Sequence, residues 1–217
     1  MRRVIDRSVT PKLPMNHAPA RSRRSWLAAA LCLLATVPAF AAAPPMKIAG
    51  LTFAGEIPLG GQVLQLNGVG VRAVAWFKGY AAGLYLSARA RSPAQALATP
   101  GAKRLEMRML VDVETEEFIK AIHKGIERNT PPAGQPALAD RIARLDDLLR
   151  ALSKVNKRDV IDLDWQPDRG FQLVVNGQPR GEPMAGDDLY AALLLIFIGE
   201  KPVDADLKAG LLGKPQP

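Results

Sequence analysis

Residues 68–86 read GVGVRAVAWFKGYAAGLYL. Glycine and β-branched or aromatic side chains dominate this stretch, which predicts strand. Apart from Lys78 it carries a single charge, Arg72. An unpaired guanidinium buried in a strand costs several kcal/mol, to an order of magnitude. Two readings are therefore open. Either Arg72 lies at a strand edge, paired with an acidic neighbour or a carbonyl and reaching water with its tip, or an anion meets it inside the protein.

The flanking sequence predicts more strands before and after. KIAGLTF (47–53) and QVLQLNGVGVRAV (62–74) are short apolar or alternating runs, and YAAGLYL (80–86) follows them. Gly60-Gly61, Asn67-Gly68 and Lys78-Gly79 supply the expected turn signals. Pro93 opens a short helical stretch, and KRLEMRMLV (103–111) alternates again, so the first half reads as an antiparallel meander. Helical periodicity takes over at Thr115, a candidate N-cap followed by Glu116 and Glu117. Phe118, Ile119, Ile122 and Ile126 form the apolar stripe of that helix, Asn129 continues it, and Pro131-Pro132 end it. A second helix is predicted from 137 to about 155, with Leu138, Ile142, Leu145, Leu149, Leu152 and Val155 on one side. DVIDLDW (159–165) and FQLVV (171–175) read as strands, and Asn176-Gly177 turns the chain into a short QPRG return. Asp187 or Asp188 caps the run LYAALLLIFI, which is apolar nearly all round and so should be buried on every side. Asp204 starts a last short helix that ends near Gly213.

The N-terminus reads differently. Arg21, Arg23 and Arg24 precede an apolar run from Trp26 to Phe40, and Ala39, Ala41, Ala42 and Ala43 follow in AFAAAPP. This pattern predicts a cleaved export signal over residues 1–41, with the cut near Ala41, and hence a periplasmic or secreted protein. Met15 gives the signal a more ordinary length than Met1, and SRRSWLA leaves Sec and twin-arginine export both open. Cys32, the single cysteine, lies in the apolar run after Leu31, so neither a lipid anchor nor a disulfide is expected. Of 29 Lys/Arg and 21 Asp/Glu, seven and one lie in residues 1–43, which leaves 22 against 20 and lowers the formal charge from +8 to +2. A nucleic-acid role thereby loses its support. The apolar run at residues 189–198 is too short to span a bilayer. About 175 residues fit one domain, taken as 46–213 with a tail at 214–217.

Strands, a helical middle, a hairpin and a buried C-terminal helix, in that order, resemble the chalcone isomerase-like family, in particular its exported bacterial members. The resemblance rests on LNGVGVR, FKGYAAGLYL, DVIDLDW, VNG and IGEKPVDADLKAGLLG, the last being the most specific. It implies an α+β fold, an open-faced β-sandwich in which a curved antiparallel sheet is covered on one side by a helical layer, with a ligand cleft between them. In the plant enzymes a cleft arginine steers a phenolate, and tyrosine, threonine and asparagine side chains order the substrate and polarise its ketone. That intramolecular conjugate addition needs electrostatic preorganisation more than a protein nucleophile.

Carried over by position, Arg72 in GVR matches the family's arginine and Asn129 in ERN its cleft asparagine. The other positions depart from the pattern. Ile122 stands at the place of the catalytic tyrosine, Ile196 replaces a threonine on the C-terminal helix, and Tyr80 stands where a threonine is expected. Losing ketone-polarising hydroxyls while keeping the cation suits binding better than catalysis. Related plastid proteins bind fatty acids through an arginine and a tyrosine, so Arg72 and Tyr80 are read as a comparable clamp, residues of equal parity on one strand face.

The resemblance thus implies a non-catalytic binder of a small apolar anion, a fatty acid or an aromatic acid, with Arg72, Tyr80, Asn129, Ile122 and Ile196 at the site. No cofactor, metal or nucleic-acid partner is implied. Two alternatives stay open: an isomerase acting on a phenolic or enone substrate, with Arg72 catalytic, and an envelope scaffold whose cleft is filled by Trp76, Phe118 and Ile196. Read by themselves, Asn129 also suits a C-cap, and Tyr80 and Tyr85 suit core aromatics. His123 reads as solvated or packed against a helix. Asp162 and Asp164 alternate with apolar residues and read as a solvated outer face rather than a metal pair. GEIPLGG lacks the context of a phosphate loop.

Overall fold

A computed structural model describes residues 43–74 and 77–214. The expected leader and Trp76 lie outside the described residues. The elements are β1 (Met46–Ile48), β2 (Leu51–Phe53), β3 (Glu56–Leu59), β4 (Gln62–Val74), β5 (Phe77–Leu86), α1 (Pro93–Ala98), β6 (Lys103–Met109), β7 (Val113–Glu114), α2 (Thr115–Asn129), α3 (Gln135–Arg150), β8 (Lys154–Val155), β9 (Val160–Gln166), β10 (Gly170–Val175), β11 (Gln178–Met184), α4 (Asp187–Ile198) and α5 (Ala205–Leu211). A curled seven-stranded sheet runs in the order β11-β10-β9-β6-β5-β4-β3, with every pairing antiparallel. The helices cover one face, as expected of an open-faced sandwich.

Alternation along the strands divides the two faces. Leu105, Met107 and Met109 of β6, Ile161 and Leu163 of β9 and Phe171, Leu173 and Val175 of β10 point at the helices, where they meet the stripes of α2 and α3. α4 lies in the middle of this core with Leu189, Leu193, Leu194, Ile196, Phe197 and Ile198 all buried, as an all-round apolar helix requires. The opposite face holds a smaller cluster, in which Phe53 of the β1–β2 hairpin packs on Leu66 and Tyr85.

The glycines of GVGVR have a packing purpose. A Cβ on Gly68 would lie 2.1 Å from the Gly210 carbonyl oxygen, and one on Gly70 would lie 2.9 Å from that of Leu207. Only glycine lets α5 rest directly on β4. Asn67, buried at a bulge in β4, donates to the Leu211 carbonyl at 2.7 Å and to that of Ala90 at 2.9 Å, and accepts from Ala90 N–H at 2.7 Å. At the other end of α5, Asp204 caps the helix by accepting from Leu207 N–H at 2.9 Å, and its second oxygen accepts from Ala73 N–H at 3.2 Å. β4 therefore holds α5 at both ends, immediately beside Arg72.

Several local expectations change. Asn67-Gly68 is a bulge inside β4, and Lys78-Gly79 lies within β5. KIAGLTF is itself a hairpin, turning at Ala49-Gly50 with φ of 49° and 77°. α2 is capped at Glu114, and Thr115 is already helical with its hydroxyl buried and unbonded. α4 is capped at Gly186, and Asp188 is instead held by Arg141, whose guanidinium donates to both carboxylate oxygens. α3 stops at Arg150, and the return strand β11 extends to Met184.

Asp162 and Asp164 do lie on the outer face, but they are buried rather than solvated. Arg104, their cross-strand neighbour on β6, binds Asp164 through two bonds of 2.6 Å and reaches Asp162 at 3.4 Å. Arg108 pairs with Glu106 at 2.6 Å and sits 4.7 Å from the Phe53 ring centre. The Oδ1 atom of Asp162 has no partner. Burial pushes the Asp162 carboxyl up to about 7, with Arg104 opposing the shift and Asp164 and Glu106 adding to it. Among the described residues, no helix is long and apolar enough to cross a membrane.

Candidate functional site

Arg72 and Tyr80 are direct partners across β4 and β5. Equal parity in the sequence predicts one face of one strand. They do share a face, but through pairing between two strands, because the chain reverses between them. A register irregularity follows at Arg72/Ala73. The guanidinium carbon lies 6.0 Å from the Tyr80 ring centre, at the outer limit of a cation–π contact. The Nε atom of Arg72 is buried and has no hydrogen-bond partner, and among the described residues no carboxylate pairs with the side chain. Asp204 is near, but backbone N–H groups occupy both its oxygens.

Tyr80 is 7% exposed and packs edge-to-face on Phe197, ring centres 6.4 Å apart. Burial raises its phenol pKa well above the ordinary tyrosine value, Arg72 pulls it back and Asp204 pushes it further up. The phenol is therefore protonated at every physiological pH and serves as a donor.

These two side chains border a cavity of about 390 Å³ between sheet and helices, within the range of small-ligand pockets. Its walls are Met107 and Met109 from β6, Phe118, Ala121 and Ile122 from α2, Ile196 and Phe197 from α4, and Val203. Phe118 and Ile122, four residues apart, present one face of α2. Its exposed side brings Glu117, Lys120 and Lys124 to the border, with Lys120 donating to Glu117 at 2.7 Å. The cavity thus combines apolar walls with charged side chains at its border.

Of the residues expected at a site, Arg72, Tyr80, Ile122 and Ile196 line this one cavity. Asn129 does not. Its amide donates to the Gly125 carbonyl at 3.0 Å and to the Lys201 carbonyl at 2.9 Å, and its oxygen accepts from Lys201 N–H at 3.0 Å. The side chain latches the end of α2 to the loop after α4, which uses all its geometry on backbone. Phe118 and Ile196 line the cavity rather than fill it.

Met107, Met109, Lys124 and Phe197 were not expected. Alternation in KRLEMRMLV signals the two methionines, whereas an all-apolar run offers no period to single out Phe197. His123 stands outside this cavity, its Nε2 at 2.8 Å and 3.0 Å from the two oxygens of Asp146 on α3. Among the described residues, no cluster of three or more His, Cys, Asp or Glu is disposed to hold a metal.

No curated protein sequence matches the chain. The fold is similar to the crystal structure of a fatty-acid binding protein of Arabidopsis thaliana, with a TM-score of 0.58, 14% identity, and coverage of 77% of this chain and 95% of that one. At that identity the likeness is one of fold. A family model described as chalcone isomerase-like matches residues 45–213, from the β1–β2 hairpin through α5, and on that match the chain belongs to the chalcone isomerase-like family.

Proposed function

We propose that the chain is an exported, non-catalytic protein that binds a small apolar anion, such as a fatty acid or an aromatic acid, in the cavity between sheet and helices, with Arg72 at its charged end. The observation that carries this reading is the buried, partnerless Nε of Arg72 beside apolar walls. A buried donor without a partner costs about 1–3 kcal/mol, and a carboxylate that accepts from it removes that cost while its apolar body replaces water against Met107, Ile122 and Ile196. The protonated phenol of Tyr80 supplies a second donor next to it. Similarity to a fatty-acid binding protein supports the same ligand class.

Isoleucine at 122 and 196 puts no donor on those walls, which argues against a ketone-polarising site. The Tyr80 phenol favours the second reading, an isomerase, because a neutral phenol beside a guanidinium is able to polarise a carbonyl.

A thermal-shift titration with laurate, palmitate and cinnamate tests the first reading. Stabilisation by at least one of them, lost in Arg72→Ala, is the expected result. Stabilisation that persists undiminished in that variant overturns the clamp. Consumption of a chalcone above its spontaneous cyclisation rate, abolished by Arg72→Ala, establishes the isomerase instead. Export is tested by N-terminal sequencing of protein recovered from the envelope, where a chain beginning near Ala42 is expected.

A further inference from the structure

The cavity beside Arg72 does not run on into the core. Behind it lies a separate hollow of about 20 Å³, lined by apolar side chains only. Met107, Phe118, Ile122, Ile196 and Phe197 face both spaces, and leucines of α3, α4, β9 and β10 close the far side. With no polar group to hold a water, such a hollow stays dry. It has room for about one methyl group.

The five shared side chains form a partition, and two of them make it stiff. Isoleucine is branched at Cβ and keeps one preferred rotamer in a helix. Ile122 and Ile196 are 8% and 4% exposed. Ile196 is also pinned from behind by α2, because a Cβ on Gly125 would lie 2.6 Å from its Cγ2 atom. Met107 and Phe118 can yield, the first through its flexible chain and the second because it is only partly buried.

We infer that Ile122 and Ile196 act as a length gauge: the site takes a linear alkyl carboxylate whose head lies at Arg72 and whose terminal methyl stops at this pair. The inference rests on the binder reading above and adds its selectivity. The pair stops a chain end because the hollow behind it has room for no more than about one methyl group. Each methylene buried ahead of the partition raises affinity about fourfold, and methylenes beyond it gain nothing.

Dissociation constants for hexanoate, octanoate, decanoate, laurate, myristate and palmitate, measured on the wild-type protein, Ile122→Ala and Ile196→Ala, test this. In the wild type, affinity should climb with chain length and then level off. In each alanine variant the level should be reached about two to three methylenes later, the room an isoleucine side chain vacates. Ile196→Val, which preserves packing, should move it by about one.

If the variants bind with an unchanged length profile while Arg72→Ala still abolishes binding, the gauge is wrong and the binder reading stands. If no acid of the series binds the wild type, the gauge falls; the binder reading falls with it only where cinnamate also fails to bind.

Discussion

Arg72 and Tyr80 face each other across the β4–β5 pair, guanidinium carbon 6.0 Å from ring centre, and neither side chain finds a hydrogen-bonding partner among the described residues. This pair puts two donors at the border of an apolar cavity.

That arrangement is unfavourable for the empty protein, so Arg72→Met should stabilise it. Removing a buried donor that bonds nothing is worth about 1 kcal/mol or more, which corresponds to roughly 2–4 °C in melting temperature for a chain of this size. With a saturating carboxylate the order should reverse, the wild type melting higher. A lower melting temperature for the ligand-free variant would mean that Arg72 is already satisfied in the empty protein.

Asn129 separates latch from ligand contact. Its three backbone bonds tie α2 to Lys201 and Gly125, so Asn129→Ala should lower stability by about 1–3 kcal/mol in denaturant unfolding. Carboxylate affinity, measured where the variant is still folded, should stay within about twofold of wild type. A tenfold loss of affinity without loss of stability would place the amide at the ligand after all.

Gly68→Ala should be among the most damaging single changes. Its Cβ would lie 2.1 Å from the Gly210 oxygen, which forces α5 off β4 and withdraws Asp204 from Ala73 beside Arg72. A loss above about 3 kcal/mol is expected from forced overpacking of this kind, seen as a large drop in the unfolding midpoint. Normal stability would show that α5 does not depend on this contact.

These tests fall where local reading and tertiary packing part. The order of strands and helices was legible because alternation and helical stripes are local patterns. Asn67-Gly68 reads as a turn because the dipeptide favours turns, whereas its actual partner, Leu211, is 144 residues away. Arg72 stood out at once as a charge in a strand, but its relation to Tyr80 depended on a chain reversal between them. Asn129 and Ile122 share a helical stripe, yet one end of that stripe meets the loop after α4 and the other meets the cavity. Alternation assigned Asp162 and Asp164 to the outer face correctly, whereas their burial and their pairing with Arg104 depend on tertiary packing with another strand.

Asp162 provides a pH signature of that outer face. Its carboxyl is pushed up to about 7 by burial, with Arg104 opposing and Asp164 and Glu106 assisting. In the unfolded chain an aspartate titrates near 4, so between about pH 4 and 7 the folded protein holds a proton that the unfolded chain has released. Stability is then greatest at low pH as far as this group is concerned, and it falls as pH rises through that window. Asp162→Asn carries no such titration. The wild type should lose a few kcal/mol between pH 5 and pH 8, and the variant should show a clearly flatter profile in denaturant unfolding at the two pH values. The bond from Arg104 to Asp164 is retained in the variant, so the Arg104 cation keeps a partner. An identical slope in both proteins would mean that Asp162 is ionised throughout, its charge balanced by Arg104.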